Sequence, residues 1–389
     1  MEENNPKIVN SPLITLILTF AGLTILMSMY ITIPLTATWI SEFSINETEA
    51  IWLSSAFSLC YAFSSLIYGP LSDRLGRKVF LVSGITFLTL ITILCAFVKN
   101  YELLLILRIL QAAGASAFVP ISLVYIADVL PPENRLKTLG FVSSSFLIAS
   151  VVAQVFSVLV EDALGWNYIF LLLGAFYLIT TILTIFCLPK EKRVVQDISI
   201  FESFINIKNL FLNRSLCISF LISLMLLFSL IGMYTILGTY LAEAPFHFTN
   251  DQILTVRGIG LISVVTSLFA SNITKKFGVN RSVRGSLLIA SLSLFLMGIS
   301  QSPLLSILFS LFFVACIALL VPVNISLINK NGAAQRGTAI LFNAFILFVG
   351  ASFGPMLATL LMEQTNSFIS LTIFSIILLI GFVGAIFLD

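Results

Sequence analysis

Two arginines lie where a charge is costly. Arg108 and Arg257 stand inside long apolar runs, Arg108 about two helical turns from the end of its run. A guanidinium in such a place must pair, face a wet cavity, or extend towards the nearer polar boundary. Glu102 is a candidate partner at that boundary for Arg108. For Arg257, extension to the boundary and contact with an anionic ligand are equally open.

Carboxylates are missing from the middle of the apolar runs. Glu102, Asp128, Glu243 and Asp251 all stand near run ends. A buried carboxylate is the usual counter-charge for a cation, so this pattern favours neutral or anionic ligands. The five cysteines stand singly, and the only histidine, His247, has no metal-ligand neighbours. No cluster of acids or metal ligands and no Walker loop is present, so the chain is not predicted to be an enzyme and needs no cofactor.

The composition describes a protein surrounded by lipid. Of 389 residues, 59% are hydrophobic and 10% charged, against roughly a quarter charged in soluble domains. Apolar runs of about 20 residues have the length that a helix needs to cross the hydrocarbon core. The sequence therefore predicts an all-α integral membrane protein with twelve transmembrane helices. The predicted spans are 13–39, 47–70, 79–98, 102–128, 137–160, 166–188, 216–242, 252–274, 284–300, 304–328, 337–361 and 367–388.

The basic residues predict the orientation. With a cytoplasmic N-terminus, 17 of the 20 Lys and Arg residues fall in inside segments. This positive-inside bias places both termini in the cytoplasm. Short loops and the lack of a targeting extension favour the plasma (inner) membrane of a bacterium, with the lipid bilayer and a small-molecule substrate as partners and no nucleic acid.

An internal repeat divides the chain into pseudo-symmetric halves. An offset of 202 residues aligns Gly76 with Gly278 and Pro120 with Pro322. One shared offset and a six-plus-six count of spans favour two related halves that enclose a site. The paired prolines either kink their helices around that site or are simply tolerated there. The predicted division is 1–188 for the first six-helix half, 189–214 for a cytoplasmic linker and 215–389 for the second half.

Three motifs carry a resemblance to a known family. The segment 69–78, GPLSDRLGRK, resembles the signature loop between the second and third helices of the major facilitator superfamily. The segment 108–114, RILQAAG, is similar to the motif of its fourth helix, and 128–135, DVLPPENR, to the cytoplasmic end of that helix. Within the superfamily the chain is most similar to the twelve-span drug:proton antiporters. The resemblance implies the major facilitator fold, alternating access, a proton gradient as energy source and a monomer.

The resemblance also implies roles for particular residues. Asp73 would face the start of the eleventh span, and Asp128 would pair with Arg77 or Arg74. The alternative is a solvated basic loop that serves only orientation. The implied cytoplasmic gate comprises Gly69, Asp73, Arg74, Gly76, Arg77, Lys78, Asp128 and Arg135. The implied proton or substrate pathway comprises Arg108, Gln111, Gly114 and Arg257.

One departure concerns the direction of transport. The antiporter motif Gly-x-x-x-Gly-Pro of the fifth helix is absent, and the segment 149–154 reads ASVVAQ. A related segment, 350–355 (GASFGP), stands in the eleventh span. The resemblance implies proton-coupled efflux of drug-like molecules, while uptake of a sugar or organic acid, or export of a metabolite such as a siderophore, fits the same helices.

Polar and aromatic residues in the spans are candidates for the cavity wall. Each has an alternative role in ordinary packing or interhelical hydrogen bonding. The candidates are Tyr30, Thr32, Pro120, Tyr234, Tyr240, Pro322, Asn324 and Asn343.

Overall fold

The computed structural model describes residues 10–191, 208–243 and 245–388, and the described part is helical without strands. The predicted linker 189–214 lies mostly outside the described residues. The first half contains α1 (Ser11–Tyr30), α2 (Thr36–Phe43), α3 (Glu47–Leu75), α4 (Arg77–Cys95), α5 (Tyr101–Ser116), α6 (Phe118–Val129), α7 (Pro132–Leu164) and α8 (Trp166–Cys187). The second half contains α9 (Arg214–Ala242), α10 (Asn250–Val264), α11 (Ala270–Phe277), α12 (Val279–Ile299), α13 (Pro303–Asn331), α14 (Arg336–Gln364) and α15 (Ser367–Ile386).

The helices form twelve spans, as predicted. Eleven segments of the described chain are long and apolar enough to cross a membrane, with α5 and α6 forming one of them and α10 to α11 another. The 29-residue helix α3 completes the twelve. One end of the bundle carries the beginning of α1, the end of α15 and most basic residues. We call it the basic end and the opposite end the far end.

The first predicted span is too long. The sequence predicts a span over 13–39, but α1 ends at Tyr30 and a separate short helix, α2, begins at Thr36. Pro34 lies in this gap; it has no amide hydrogen to donate, and the residue before a proline is disfavoured in the helical region. The first span is therefore the 20-residue helix α1, which has the length of one bilayer crossing.

The paired prolines affect their helices differently. The fourth span breaks at Ala117, whose N–H bonds to the carbonyl of Gly114 at 3.4 Å. Pro120 explains the break, since its ring lacks an N–H and displaces the carbonyl four residues earlier. Pro322 lies inside the uninterrupted helix α13. Of the two alternatives, a break accompanies Pro120, and Pro322 is accommodated within a continuous helix.

The repeat is visible in the backbone. Gly76 and Gly278, 202 residues apart, have φ values of 93° and 84° and each separates two consecutive helices. Such positive φ values strain residues that carry a Cβ. The first helix of each half also begins with an asparagine cap, Asn10 for α1 and Asn213 for α9.

The halves meet on two sides of the bundle. On one side α3 packs against α14, where the rings of Tyr61 and Phe348 lie 4.2 Å apart between centroids. On the other side α7 packs against α10 and α13. A space between the two contacts remains for a site that both halves share.

Candidate functional site: a cavity between the two halves

A cavity of about 330 Å³ lies between the halves. Each half contributes ten lining residues. From the first half these are Leu26, Tyr30, Ile33, Val119, Ser143, Phe146, Leu147, Ser150, Val151 and Gln154. From the second half they are Leu227, Leu230, Ile231, Tyr234, Thr235, Arg257, Val321, Leu347, Phe348 and Pro355. The volume is within the range of roughly 300–1,000 Å³ that is typical of sites for small organic ligands.

The wall is mainly apolar and follows the repeat. Val119 and Val321 are 202 residues apart and each precedes one of the paired prolines, and Phe146 and Phe348 are separated by the same offset. The lining residues include no Asp or Glu, and Arg257 is the one charged side chain among them. The cavity is thus suited to a small molecule that is mainly apolar and that has either no charge or one negatively charged group.

Arg257 is tied to the other half. Its Nη1 donates to Oε1 of Gln154 at 2.9 Å, so a hydrogen bond joins α10 to α7 across the cavity wall. Its Nε is buried and has no hydrogen-bond partner in the described structure. The start of α10 is fixed by a capping box in which Thr249 and Gln252 bind each other's backbone N–H.

The halves touch closely between the cavity and the basic end. The hydroxyl groups of Ser144 on α7 and Ser267, in the short 3-10 turn after α10, are in hydrogen-bond contact. Gly140 lies one turn nearer the basic end, and a Cβ there would stand 2.8 Å from the carbonyl oxygen of Ser267. At this level no passage remains between α7 and the turn after α10.

An ion cluster lies at the basic end itself. Nε of Arg77 and Oδ2 of Asp128 are 2.9 Å apart, and Nη1 of Arg336 is 4.0 Å from Oδ1 of the same carboxylate. Arg336 begins α14, so the cluster bridges the two halves. Nε of Arg135 instead donates to the carbonyl of Leu130 at 2.8 Å.

Glu191 binds the loop between α3 and α4. Its carboxylate accepts from the backbone N–H groups of Arg77 at 2.5 Å and Lys78 at 3.3 Å, the first amides of α4. Nζ of Lys78 donates to the carbonyl of Ile185 at 2.7 Å and to that of Leu188. A helix N-terminus favours a carboxylate in this position. The end of α8 is thereby attached to the predicted gate.

Arg108 is fully buried in the first half, away from the cavity wall. Its Nη1 donates to the carbonyl of Ser28 at 3.0 Å and to the side chain of Gln111, and its Nε to the carbonyl of Leu53 at 3.3 Å. The ring of Phe57 lies 4.2 Å from the guanidinium carbon. The side chain therefore points into the bundle, and the alternative of extension towards Glu102 is wrong.

Comparison with known proteins identifies the family. The profile of the Major Facilitator Superfamily matches residues 18–263, well over half of the chain. The chain belongs to the Major Facilitator Superfamily. Its members are transporters, and the prediction that the chain is not an enzyme is confirmed.

Individual relatives of this transporter are distant. It is 26% identical to an uncharacterized transporter of Buchnera aphidicola over 77% of this chain and 71% of that protein. It is 24% identical to multidrug resistance protein 1 of Bacillus subtilis over 85% of each chain. Among solved structures, the human organic anion transporter MFSD10 (TETRAN) superposes with a TM-score of 0.81 at 15% identity, covering 97% of this chain and 99% of that one. This last likeness shows the shared fold.

The transporter brings only some of the predicted cavity residues to the wall. Tyr30 and Tyr234 line the cavity. Thr32 bonds to Ser54 at 2.6 Å between hydroxyl groups, and Tyr240 donates to the carbonyl of Ser300 at 3.2 Å. Both lie outside the cavity wall, and the same holds for Pro120 and Pro322.

Asn324 and Asn343 also serve packing. Both are 1% exposed. Nδ2 of Asn324 donates to the carbonyl of Ser219 at 2.8 Å and to Oγ of Ser223 at 2.7 Å, and that hydroxyl donates to Asn343. The network joins α9, α13 and α14 within the second half, and neither asparagine is among the residues that line the cavity.

The remaining predicted residues divide between packing and the basic end. A Cβ at Gly114 would stand 3.0 Å from the backbone nitrogen of Leu88, so this glycine permits the close approach of α4 and α5. Gly76 has a φ of 93°, which strains residues that carry a Cβ, and it lies beside Glu191. Arg74 is exposed. Gly69 and Asp73 lie in α3, but their burial and the Asp73 side chain are outside the described part.

Sequence reasoning missed several wall residues. Ser150 and Gln154 were noticed only as a departure from the antiporter motif, and Phe146 and Phe348 were not selected at all. The offset of 202 residues could have found the two phenylalanines, because it relates them exactly as it relates the prolines.

Proposed function

We propose that this transporter exports small, largely apolar organic molecules by alternating access, driven by the proton gradient. The observation that carries the proposal is the cavity with ten lining residues from each half. A site shared equally by two halves changes its exposure when the halves rock against each other. Its apolar wall suits molecules that partition into lipid.

The basic end is assigned to the cytoplasm. The sequence pattern, in which 17 of the 20 basic residues fall in segments predicted to lie inside, supports that orientation. The close contact of α7 with the turn after α10 supports the assignment of this arrangement to a state that excludes the cytoplasm. The resemblance to the superfamily supports a monomer as the working unit, and the bacterial relatives support a location in the plasma membrane of a bacterium.

The cluster of Arg77, Asp128 and Arg336 is assigned to the cytoplasmic gate. Its members come from both halves and are partly exposed, with 18%, 28% and 33% of their side-chain surfaces accessible. Partly exposed ion pairs are weak enough to break during a transport cycle. Resemblance adds Asp73 to the gate, and the bond of Glu191 to α4 ties the gate to the end of α8.

Proton coupling rests on resemblance at the motif of Arg108. This guanidinium holds Gln111, whose amide donates to the hydroxyl of Thr92 at 2.8 Å. Because an arginine does not lose its own proton in a protein, its proposed part is to position this buried polar chain. Efflux as the direction is supported by the name of the Bacillus subtilis relative, a multidrug resistance protein.

Growth of a strain without its own efflux pumps tests the function. Expression of the transporter is expected to raise resistance to neutral and anionic toxic compounds, and dissipation of the proton gradient to abolish it. Asp128→Ala is expected to remove the protection, because it takes away the gate carboxylate. Asp162→Ala is the matched control, since Asp162 is exposed at the far end. Absence of protection, or selective protection against lipophilic cations, would contradict the proposal.

A further inference from the structure

The charge of Arg257 is incompletely compensated. One hydrogen bond joins it to the neutral amide of Gln154, and its buried Nε has no partner. No carboxylate is among the residues of the cavity wall, and no ion pair of Arg257 occurs in the described part of the chain. A guanidinium has five N–H donors, and the bond to Gln154 engages one of them.

A cation in a largely apolar cavity is costly unless it is paired. A ligand that brings an oxyanion would supply the missing charge and accept two N–H bonds in the fork geometry of the guanidinium. The aromatic and aliphatic wall, including Phe146 and Phe348, would surround the apolar part of the same ligand. Tyr234, on the neighbouring helix α9, also lines this cavity, with its hydroxyl against Gly260 of α10.

We propose that Arg257 binds the carboxylate or sulfonate of an amphipathic organic anion in the cavity, and that Gln154 holds the guanidinium when the cavity is empty. The proposal rests on the proposed function in taking this cavity as the transport site. It names a specificity residue, Arg257, and a residue that competes with the substrate, Gln154.

The exchange has a mechanical consequence. Gln154 and Arg257 belong to opposite halves, whereas a bound anion contacts Arg257 without requiring Gln154. Substrate binding therefore releases a cross-half hydrogen bond at the part of the α7–α10 contact nearer the far end. The contact between Ser144 and Ser267, nearer the basic end, is not part of this exchange.

Equilibrium binding to the purified full chain in lipid nanodiscs tests the proposal. The probes are aromatic acids, each paired with its neutral amide, such as 2-naphthoate with 2-naphthamide and 2-naphthalenesulfonate with its sulfonamide. The parent is expected to bind an acid about tenfold or more tightly than its amide, because a desolvated charge pair discriminates by at least that factor. Arg257→Gln is expected to remove the preference, and Arg257→Lys to retain part of it.

Variants of Gln154 keep the test independent of any folding defect at Arg257. Gln154→Leu removes the competing amide and is expected to strengthen binding of the acid several-fold, without changing that of the amide. Gln154→Glu places a carboxylate beside the guanidinium and is expected to weaken binding of the acid. Opposite effects on one ligand from two substitutions at one site cannot come from a general loss of folding.

The proposal is overturned if no acid binds more tightly than its amide, or if the preference survives Arg257→Gln in protein that remains folded by gel filtration. Arg257 would then have only its structural bond to Gln154. Transport of both ligands into proteoliposomes is measured in parallel. Anion preference without any transport would contradict the proposed function and leave the assignment of Arg257 standing.

Discussion

At the scale of single residues, Arg108 in the first half and Arg257 in the cavity wall differ in the partners that surround their guanidinium groups. Arg108 is enclosed by backbone carbonyls, an amide and an aromatic ring, with 0% exposure. Arg257 is held by one amide at the cavity. Both arginines stand inside apolar runs, yet of the two only Arg257 lines the cavity.

Substitution of Asp128 tests the proposed cytoplasmic gate. Asp128→Asn keeps the shape of the side chain but removes its attraction to Arg77 and Arg336. The contact at the basic end should weaken and open more often. A cysteine placed at Ser143, on the cavity wall, should then react several-fold faster with a membrane-impermeant thiol reagent in inside-out vesicles. Asp162→Asn, at the exposed far end, should leave the rate unchanged, and an equal increase with both variants would exclude the gate.

At the scale of helices, glycines set the distance between neighbours. A Cβ at Gly350 would overlap the carbonyl oxygen of Leu224, and one at Gly354 that of Phe228. Both glycines belong to α14 and both carbonyls to α9, so the 350–355 segment brings these two helices into backbone contact. Small residues commonly permit such contacts between membrane helices.

Alanine substitution tests this packing. Gly354→Ala should lower the free energy of unfolding by about 1–3 kcal/mol, since overpacking forces the backbones apart. Gly258→Ala is the matched control, because a Cβ there meets nothing within 4 Å. Thermal unfolding of the two variants in the same detergent provides the comparison. Equal unfolding midpoints for the two variants would show that moving α9 and α14 apart does not lower the free energy of unfolding.

At the scale of the whole molecule, the two halves touch most closely towards the basic end. Ser144 and Gly140 of α7 meet Ser267 there, while the cavity occupies the space nearer the far end. Alternating access requires this contact to break, because a cavity that opens at the far end must later open at the basic end.

A disulfide across this contact should stop the cycle. In a background without the five natural cysteines, S144C with S267C is expected to crosslink on oxidation and to abolish transport until a reductant is added. The control pair is S291C with S375C, whose hydroxyl groups lie 3.0 Å apart within the second half. It should crosslink without loss of transport. Continued transport by the crosslinked first pair would show that the α7 contact does not move.

The sequence alone determined the number of spans, the two halves, the family and the position of the signature loop at 69–78. Apolar run length is dictated by bilayer thickness, and the signature loop is contiguous in the chain. The break at Ala117 and the end of α1 followed from prolines that remove backbone donors, yet only the structure located them.

Tertiary structure alone decided which polar side chains face the cavity. Asn324 and Asn343 are linked through the hydroxyl of Ser223 inside the second half, whereas Gln154 and Arg257 meet across the halves. In a helix within lipid, every face is apolar enough to be buried, so hydropathy does not say which face meets a neighbour and which meets the cavity. That choice depends on the angles at which twelve helices pack, which are set by contacts between residues a hundred positions apart.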